Sequence, residues 1–194
     1  MENVTAVGGK LDIGRCINDA IDLFKRNVLI LALATFLFQV ISIFTIGILA
    51  GVLMGGYYWM LLNALRKEDK KVELGDMFGL FSKFLPLLGL FMLQTVLTLT
   101  GFVLLIIPGI IVATMWLYAT FFMVDKNTGV IESLKTSWNL VRQKGFGMNI
   151  LLLVIYVALA SGGGMVPYVG WIIGLFLLPL ASLMLASAYI QQTT

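Results

Sequence analysis

Between Lys83 and Asp125 the chain reads FLPLLGLFMLQTVLTLTGFVLLIIPGIIVATMWLYATFFMV (residues 84–124), forty-one residues without a charged side chain. As one helix this segment would run roughly 60 Å, about twice the roughly 30 Å hydrocarbon thickness of a bilayer. It is expected to fold back on itself as a hairpin of two crossings. Residues 27–65 and 145–194 are also uncharged and long enough for the same treatment. All thirteen Lys and Arg and all ten Asp and Glu fall within residues 2–26, 66–83 and 125–144. The chain is therefore expected to be an all-α integral membrane protein forming a single membrane domain. Its six transmembrane helices would form three hairpins (27–65, 84–124 and 145–194), each preceded by a cytosolic amphipathic segment (1–26, 66–83 and 125–144). Two crossings per hairpin return the chain to the side it left, so every basic residue faces one compartment. By the positive-inside rule that compartment is the cytoplasm. Both termini are then cytoplasmic, and the inner (cytoplasmic) membrane is the expected location.

Composition agrees. Hydrophobic residues make up 60% of the chain and charged residues 12%, with a mean hydropathy of +0.99. A soluble domain is about a quarter charged; this one has too little polar surface to coat a soluble globule, a requirement that lipid removes. The net charge of +3 and pI of about 9.0 would suggest nucleic acid for a soluble protein. Here membrane topology accounts for the basic residues, and no nucleic-acid partner is expected. Cys16, the single cysteine, cannot form an internal disulfide and lies among cytosolic charges, where a thiol stays reduced. Residues 1–10 include Glu2 and Lys10 with no cleavage-type pattern after them, so no removable signal peptide is expected.

Turn signals divide the hairpins. Thr45-Ile46-Gly47 is expected to reverse the first. Thr100-Gly101 and Pro108-Gly109 both qualify in the second, and the choice stays open. The third turns within 161–170, which is rich in glycine, with Tyr168 and Trp171 at the outer interface, where amphipathic rings are favoured. Within the charged blocks, apolar residues recur at helical spacing: Ile13, Ile17, Ala20, Ile21 and Phe24; then Leu74, Met77, Phe78, Phe81 and Leu85; then Ile131, Leu134, Trp138 and Val141. Each block is expected to be an amphipathic helix of three to four turns, lying along the inner leaflet or under the bundle. Leu11-Asp12-Ile13-Gly14 and Val72-Glu73-Leu74-Gly75 align without gaps, as a repeated unit would. Three independent hairpins joined by interfacial helices would give the same layout, and both readings stand.

The chain has no histidine, no cysteine pair and no Gly-rich phosphate loop, so no catalytic residue, metal site or cofactor is expected. The uncharged stretches hold no ionisable carboxylate or amine of the kind that marks proton relays and ion pathways. Gln39, Gln94 and Asn149 lie inside them; they would line a polar cavity or hydrogen-bond neighbouring helices. Gly47, Gly51 and Gly55 form a G-x-x-x-G-x-x-x-G face for close helix packing, and Pro179 is expected to kink the last helix. Lys25, Arg26, Arg66, Lys67, Lys70 and Lys71 would sit near the inner headgroups, each gaining about 1 kcal/mol from anionic lipid.

The run from Ile107-Pro108-Gly109 through the aromatic span Trp116 to Val124 continues into Asp125-Lys-Asn-Thr-Gly-Val-Ile-Glu-Ser-Leu-Lys-Thr-Ser-Trp138. Together with Pro179 and Tyr189, it resembles bacterial multi-pass proteins of unsettled role related to the membrane domain of glycerophosphodiester phosphodiesterases. The resemblance covers roughly residues 70–190. It implies a six-helix membrane module and no enzyme, because in that group the phosphodiester chemistry belongs to a separate soluble domain. The expected role is non-enzymatic: a scaffold or accessory subunit whose partners are membrane lipid, other membrane proteins or further copies of itself. The alternative is a small transporter or channel, alone or as an oligomer, with an uncharged polar pathway.

Overall fold

The computed structural model of the protein describes residues 11–67, 71–162 and 170–193. Lys70, Tyr168 and most of the glycine-rich loop lie outside the described residues, as does the side chain of Trp171. Everything described is helix or connection. The helices are α1 (Ile13–Phe44), α2 (Ala50–Arg66), α3 (Leu74–Phe78), α4 (Phe84–Leu104), α5 (Ile106–Met115), α6 (Ala119–Lys126), α7 (Val130–Lys144), α8 (Phe146–Gly162) and α9 (Gly170–Thr193), with a 3-10 turn at Phe81–Lys83 before α4. Four stretches are long and apolar enough to cross a membrane: Ile13–Phe44, Leu74–Val103, Ile106–Lys126 and Ile172–Thr193. A fifth arises if α7 and α8, bent by 113° at Gly145, count as one. Large apolar side chains cover the outside of these helices; Leu29, Phe44, Ile46 and Val103 are more than four-fifths exposed. Such a surface fits a multi-pass membrane protein, for which lipid takes the place of water.

The chain reverses first at Thr45–Leu49. Ile46 (φ 51°) and Gly47 (φ 77°) take left-handed backbone conformations there, so Gly47 belongs to the turn and packs against nothing. The second reversal falls on Leu105, whose extended backbone (φ −165°, ψ 146°) separates α4 from α5. Neither breaker forms it. Gly101 and Gly109 instead face each other across it, where a Cβ on Gly101 would lie 3.0 Å from Gly109 Cα. Pro108 sits in the first turn of α5, where a missing N–H costs nothing.

The charged blocks match the expected helices unevenly: the third forms one of 15 residues, α7, and the first two do not form separate helices of three to four turns. The first is not separate: α1 runs for 32 residues, roughly 48 Å, through a single non-helical residue, Asn27 (φ −130°, ψ 24°). Its buried stripe is Cys16, Ala20, Leu23, Asn27, Leu31 and Ala34, turned from the expected one, because the half before Asn27 packs along α9, where Cys16 and Asp19 meet Gln191 and Ser187. The second block folds into only the five residues of α3 and the 3-10 turn, with Met77 buried and Phe78 and Phe81 exposed. In the third, α7 turns Leu134, Ser137, Leu140 and Val141 inward, leaving Ile131 and Trp138 partly exposed. Leu11-Asp12-Ile13-Gly14 and Val72-Glu73-Leu74-Gly75 both sit at a helix start, with Asp12 and Glu73 at the N-cap and Leu11 and Val72 buried before them.

Two helices form the centre. α2 is buried on nearly every side, and α9 is buried from Ala181 to Tyr189. α1, α4 and α8 pack around them, with α5 between α4 and α8. Glycine makes the approach to α2 possible. A Cβ on Gly51 would lie 2.9 Å from the Leu87 carbonyl oxygen of α4, one on Gly55 would lie 2.8 Å from the Leu87 side chain, and one on Gly56 would collide with the backbone of Met77 in α3. Pro179 is buried inside α9, and the helix continues through it.

The charged blocks meet at one end of the bundle. The Asp12 backbone N–H donates to Gln191 Oε1 (3.1 Å) and Ser187 Oγ to Asp19 Oδ2 (2.7 Å). Asn63 Nδ2 donates to Asp76 Oδ2 (2.9 Å), and the Val72 N–H to Asn27 Oδ1 (3.2 Å). The start of α1, the ends of α2 and α9, and α3 are thereby tied together.

These clearances order three substitutions. Gly56→Ala, which strikes backbone, is expected to lower stability by about 1–3 kcal/mol, as overpacking does. Gly51→Ala should destabilise less. Gly89→Ala, with its nearest neighbour 3.8 Å away, should be neutral or gain up to about 1 kcal/mol of helix propensity. Thermal unfolding in detergent ranks the three; a Gly56→Ala protein as stable as Gly89→Ala would contradict the α2–α3 packing.

Candidate functional site

The span from Ile106 to Lys126 is broken. Trp116 and Tyr118 leave helical geometry between α5 and α6, which frees backbone groups inside an apolar bundle. Unsatisfied groups there cost several kcal/mol each, and one side chain answers two of them: Ser137 Oγ donates to the Met115 carbonyl (2.8 Å) and accepts from the Tyr118 N–H (3.1 Å). The Trp116 carbonyl already accepts from the Ala119 N–H (3.1 Å) and takes a second bond from Gln94 Nε2 (3.0 Å), while Gln94 Oε1 accepts from Thr120 Oγ1 (3.3 Å).

Beside this break lies a cavity of about 350 Å³, walled by α2, α4, α5, α6, α8 and α9. Its size is that of a small-molecule site. The walls are mostly apolar and aromatic, with Phe91, Trp116, Tyr58 and Tyr156 prominent, and the polar groups are Gln94, Thr95, Thr98 and Thr120 with the two tyrosine hydroxyls. No charged side chain lines it. The Tyr58 and Tyr156 hydroxyls stand 3.5 Å apart, and on their far side a smaller cavity of about 60 Å³ reaches Phe38, Tyr57 and Ser182.

Toward the charged end the cavity is closed. Tyr58 stacks on Phe121 (ring centroids 4.3 Å), and Phe121 stacks on Tyr189 (5.3 Å). Tyr189 donates its hydroxyl to Asp125 Oδ2 (2.9 Å), and Asp125 is gripped by both guanidinium nitrogens of Arg66, Nη2 to Oδ2 at 2.9 Å and Nη1 to Oδ1. The Asp125 side chain is only 5% exposed and that of Arg66 36%. One carboxylate thus joins the ends of α2, α6 and α9. A second buried cluster lies nearby: Tyr118 donates to Asn149 Oδ1 (2.8 Å), and Gln192 Nε2 donates to the Tyr118 hydroxyl (2.8 Å) and to Asn149 Oδ1 (3.2 Å).

The structure therefore separates the three amides grouped in the sequence. Gln94 lines the cavity. Asn149 is fully buried in the Tyr118–Gln192 cluster at the charged end. Gln39 is half-buried on α1 and does not line this cavity. Several of the basic residues have acidic neighbours: Arg26 pairs with Asp22 (3.1 Å), Lys67 with Glu73 (2.6 Å) and Arg66 with Asp125, while Lys25 and Lys71 are exposed. The roles of Ser137 and Tyr118, and the joining of Arg66 to Asp125 and Tyr189, were not readable from the sequence, because they depend on partners 19 to 74 residues away. Compared with known proteins, the chain matches no family model, and neither the curated proteins nor the solved structures contain a significant match to it.

Breaking the ion pair from one side leaves a buried carboxylate with only the Tyr189 hydroxyl (2.9 Å) and the largely exposed Lys126 ammonium (3.7 Å) beside it. Arg66→Met is expected to lower stability by about 2–4 kcal/mol, toward the lower value because the guanidinium is partly exposed. Adding Asp125→Asn, which removes the charge but still accepts from Tyr189, should recover at least half of the loss. Unfolding of the two single variants and the double variant measures the coupling; strictly additive losses would mean that the pair does not act as a unit.

Proposed function

We propose that the protein is a non-enzymatic, polytopic membrane scaffold or accessory subunit that holds lipid or partner membrane proteins. The observation that carries this reading is the sealed charged end: the cavity stops at the Tyr58–Phe121–Tyr189 stack with the Arg66–Asp125 pair behind it, the form of a binding site and not of a pore. In this reading the acidic side chains at the charged end are structural. Asp125, Asp76 and Asp19 each accept a structural hydrogen bond between helices.

The proposal includes six crossings in the cytoplasmic membrane with both termini inside. α2 and α8, at 17 residues each, span roughly 26 Å, slightly short of the hydrocarbon core, a mismatch that local thinning absorbs. For α2 the shortfall matters little, because protein surrounds it. The meeting of the charged blocks at one end supports this topology, and the positive-inside rule assigns that end to the cytoplasm. The resemblance of residues 70–190 to the membrane domain of glycerophosphodiester phosphodiesterases belongs to the same proposal. A transport role is the second reading, favoured by the small cavity that adjoins the large one across Tyr58 and Tyr156.

Two experiments test this. In a Cys16→Ser background, Lys25→Cys, Lys83→Cys and Lys135→Cys are each expected to react with an impermeant thiol reagent only from the cytoplasmic side; labelling of any one from outside overturns the topology. Proteoliposomes of the purified protein are expected to retain small neutral and ionic solutes as well as empty vesicles do, while native mass spectrometry finds lipid or a protein partner retained. Solute flux that Gln94→Leu abolishes would replace the scaffold reading with the transport one.

A further inference from the structure

The cavity of about 350 Å³ combines an uncharged wall with polar groups. Its walls carry no charge, so an ion or a phosphate headgroup would enter without a counter-charge in a low-dielectric site, at a high desolvation cost. The cavity is not indifferent to polarity either. Gln94 uses one of its two amide N–H donors on Trp116 and one lone pair on Thr120, leaving a donor and an acceptor for a ligand. Thr98 also lines the cavity, and the Tyr58 and Tyr156 hydroxyls sit at the long limit of a mutual bond. These groups come from α4, α6, α2 and α8 and stand among apolar and aromatic neighbours.

The way in is lateral. Leu99, at the cavity's edge, is 58% exposed, and its neighbours Val96, Phe102 and Val103 form part of the apolar outer surface of α4. A molecule reaching this mouth comes from the lipid phase and not from water. Access from the charged end is blocked by the aromatic stack.

Resting on the scaffold reading above and deepening it, we infer that the cavity between α4, α5 and Tyr156 of α8 is a binding site for a neutral lipid. The ligand carries a carbonyl oxygen next to an apolar chain; the oxygen accepts from Gln94 and the chain lies along Phe91 and Trp116. The class is set by three features together: an uncharged wall, unspent hydrogen-bonding capacity on Gln94, and a mouth on the lipid-facing side.

Trp116 provides the readout. With Trp59, Trp138 and Trp171 changed to Phe, its fluorescence in nanodiscs is titrated with a bromine-labelled monoacylglycerol, a neutral ester, and with the same brominated chain ending in a phosphate. The neutral probe is expected to quench saturably and the phosphate probe at least tenfold more weakly. Gln94→Leu should weaken the neutral probe about tenfold, the effect of one buried hydrogen bond. Because Gln94 also secures the break in the span, Thr98→Phe is the decisive variant: it fills the mouth without removing a protein hydrogen bond, and it should abolish saturable quenching while leaving the unfolding temperature unchanged. Quenching that rises linearly with probe and is identical in Thr98→Phe overturns the site. Equal binding of both probes overturns the ligand class. Either result, in vesicles that still retain solute, leaves the scaffold reading standing; solute flux would overturn that reading instead.

Discussion

A peptide group inside a bilayer has no water to turn to, so each backbone N–H and C=O must find its partner within the protein. Continuous helices satisfy this automatically. The interruption at Trp116–Tyr118 does not, and much of the surrounding structure follows from its repair. α7 must come close enough for Ser137 to reach both Met115 and Tyr118, which draws the third charged block up against α5 and α6. α4 stands beside the same break and adds a bond from Gln94 to the Trp116 carbonyl, which already accepts from the Ala119 N–H. The cavity lies where they meet. Gln94 is therefore both a structural clamp and the most polar feature of the cavity wall, roles that the sequence analysis set out as alternatives.

Away from this break, close backbone contact does the packing. Apolar side chains gain little by leaving lipid for another apolar surface, so helices in a membrane associate through fit and interhelical hydrogen bonds. Gly51, Gly55 and Gly56 let α3 and α4 approach α2 to distances that a Cβ would forbid, and the Gly101–Gly109 pair does the same for α4 and α5. At the charged end the ordering is polar: the Arg66–Asp125–Tyr189 set and the Tyr118–Asn149–Gln192 cluster bind helix ends that are distant in the chain. Tight apolar contact above and a hydrogen-bonded base below leave the cavity in the middle as the place where the bundle is not filled.

Several parts of this were legible beforehand. The first turn falls on Thr45-Ile46-Gly47 because a left-handed glycine at a span's end is a local property. Of the apolar stripes in the charged blocks, Ala20, Met77, Leu134 and Val141 are buried as expected, and other members are not. Ile17, Ile131 and Trp138 look like core residues by composition, yet Cys16, Ser133 and Ser137 occupy the inside, because α1 and α7 pack on other helices and those helices present polar backbone or small side chains at the contact. The second reversal also escaped. Gly101 and Pro108-Gly109 are breaker residues, but in a hairpin their small size and tolerance of the first helical turn served packing, and the extended residue between them made the bend.

The distribution of charge along the chain determined by itself which segments could enter lipid and which ends of the helices would gather together, since an ionised side chain is costly in hydrocarbon wherever the rest of the chain goes. It could not decide which helices stand at the centre. α4, α8 and α9 are apolar around most of their circumference, with few polar residues to distinguish a face that meets lipid from one that meets protein. Only the tertiary structure, by matching glycine to backbone and each freed carbonyl to a donor, set α2 and α9 inside, placed Gln94 in a cavity and Asn149 in a buried clamp, and joined Arg66 to Asp125.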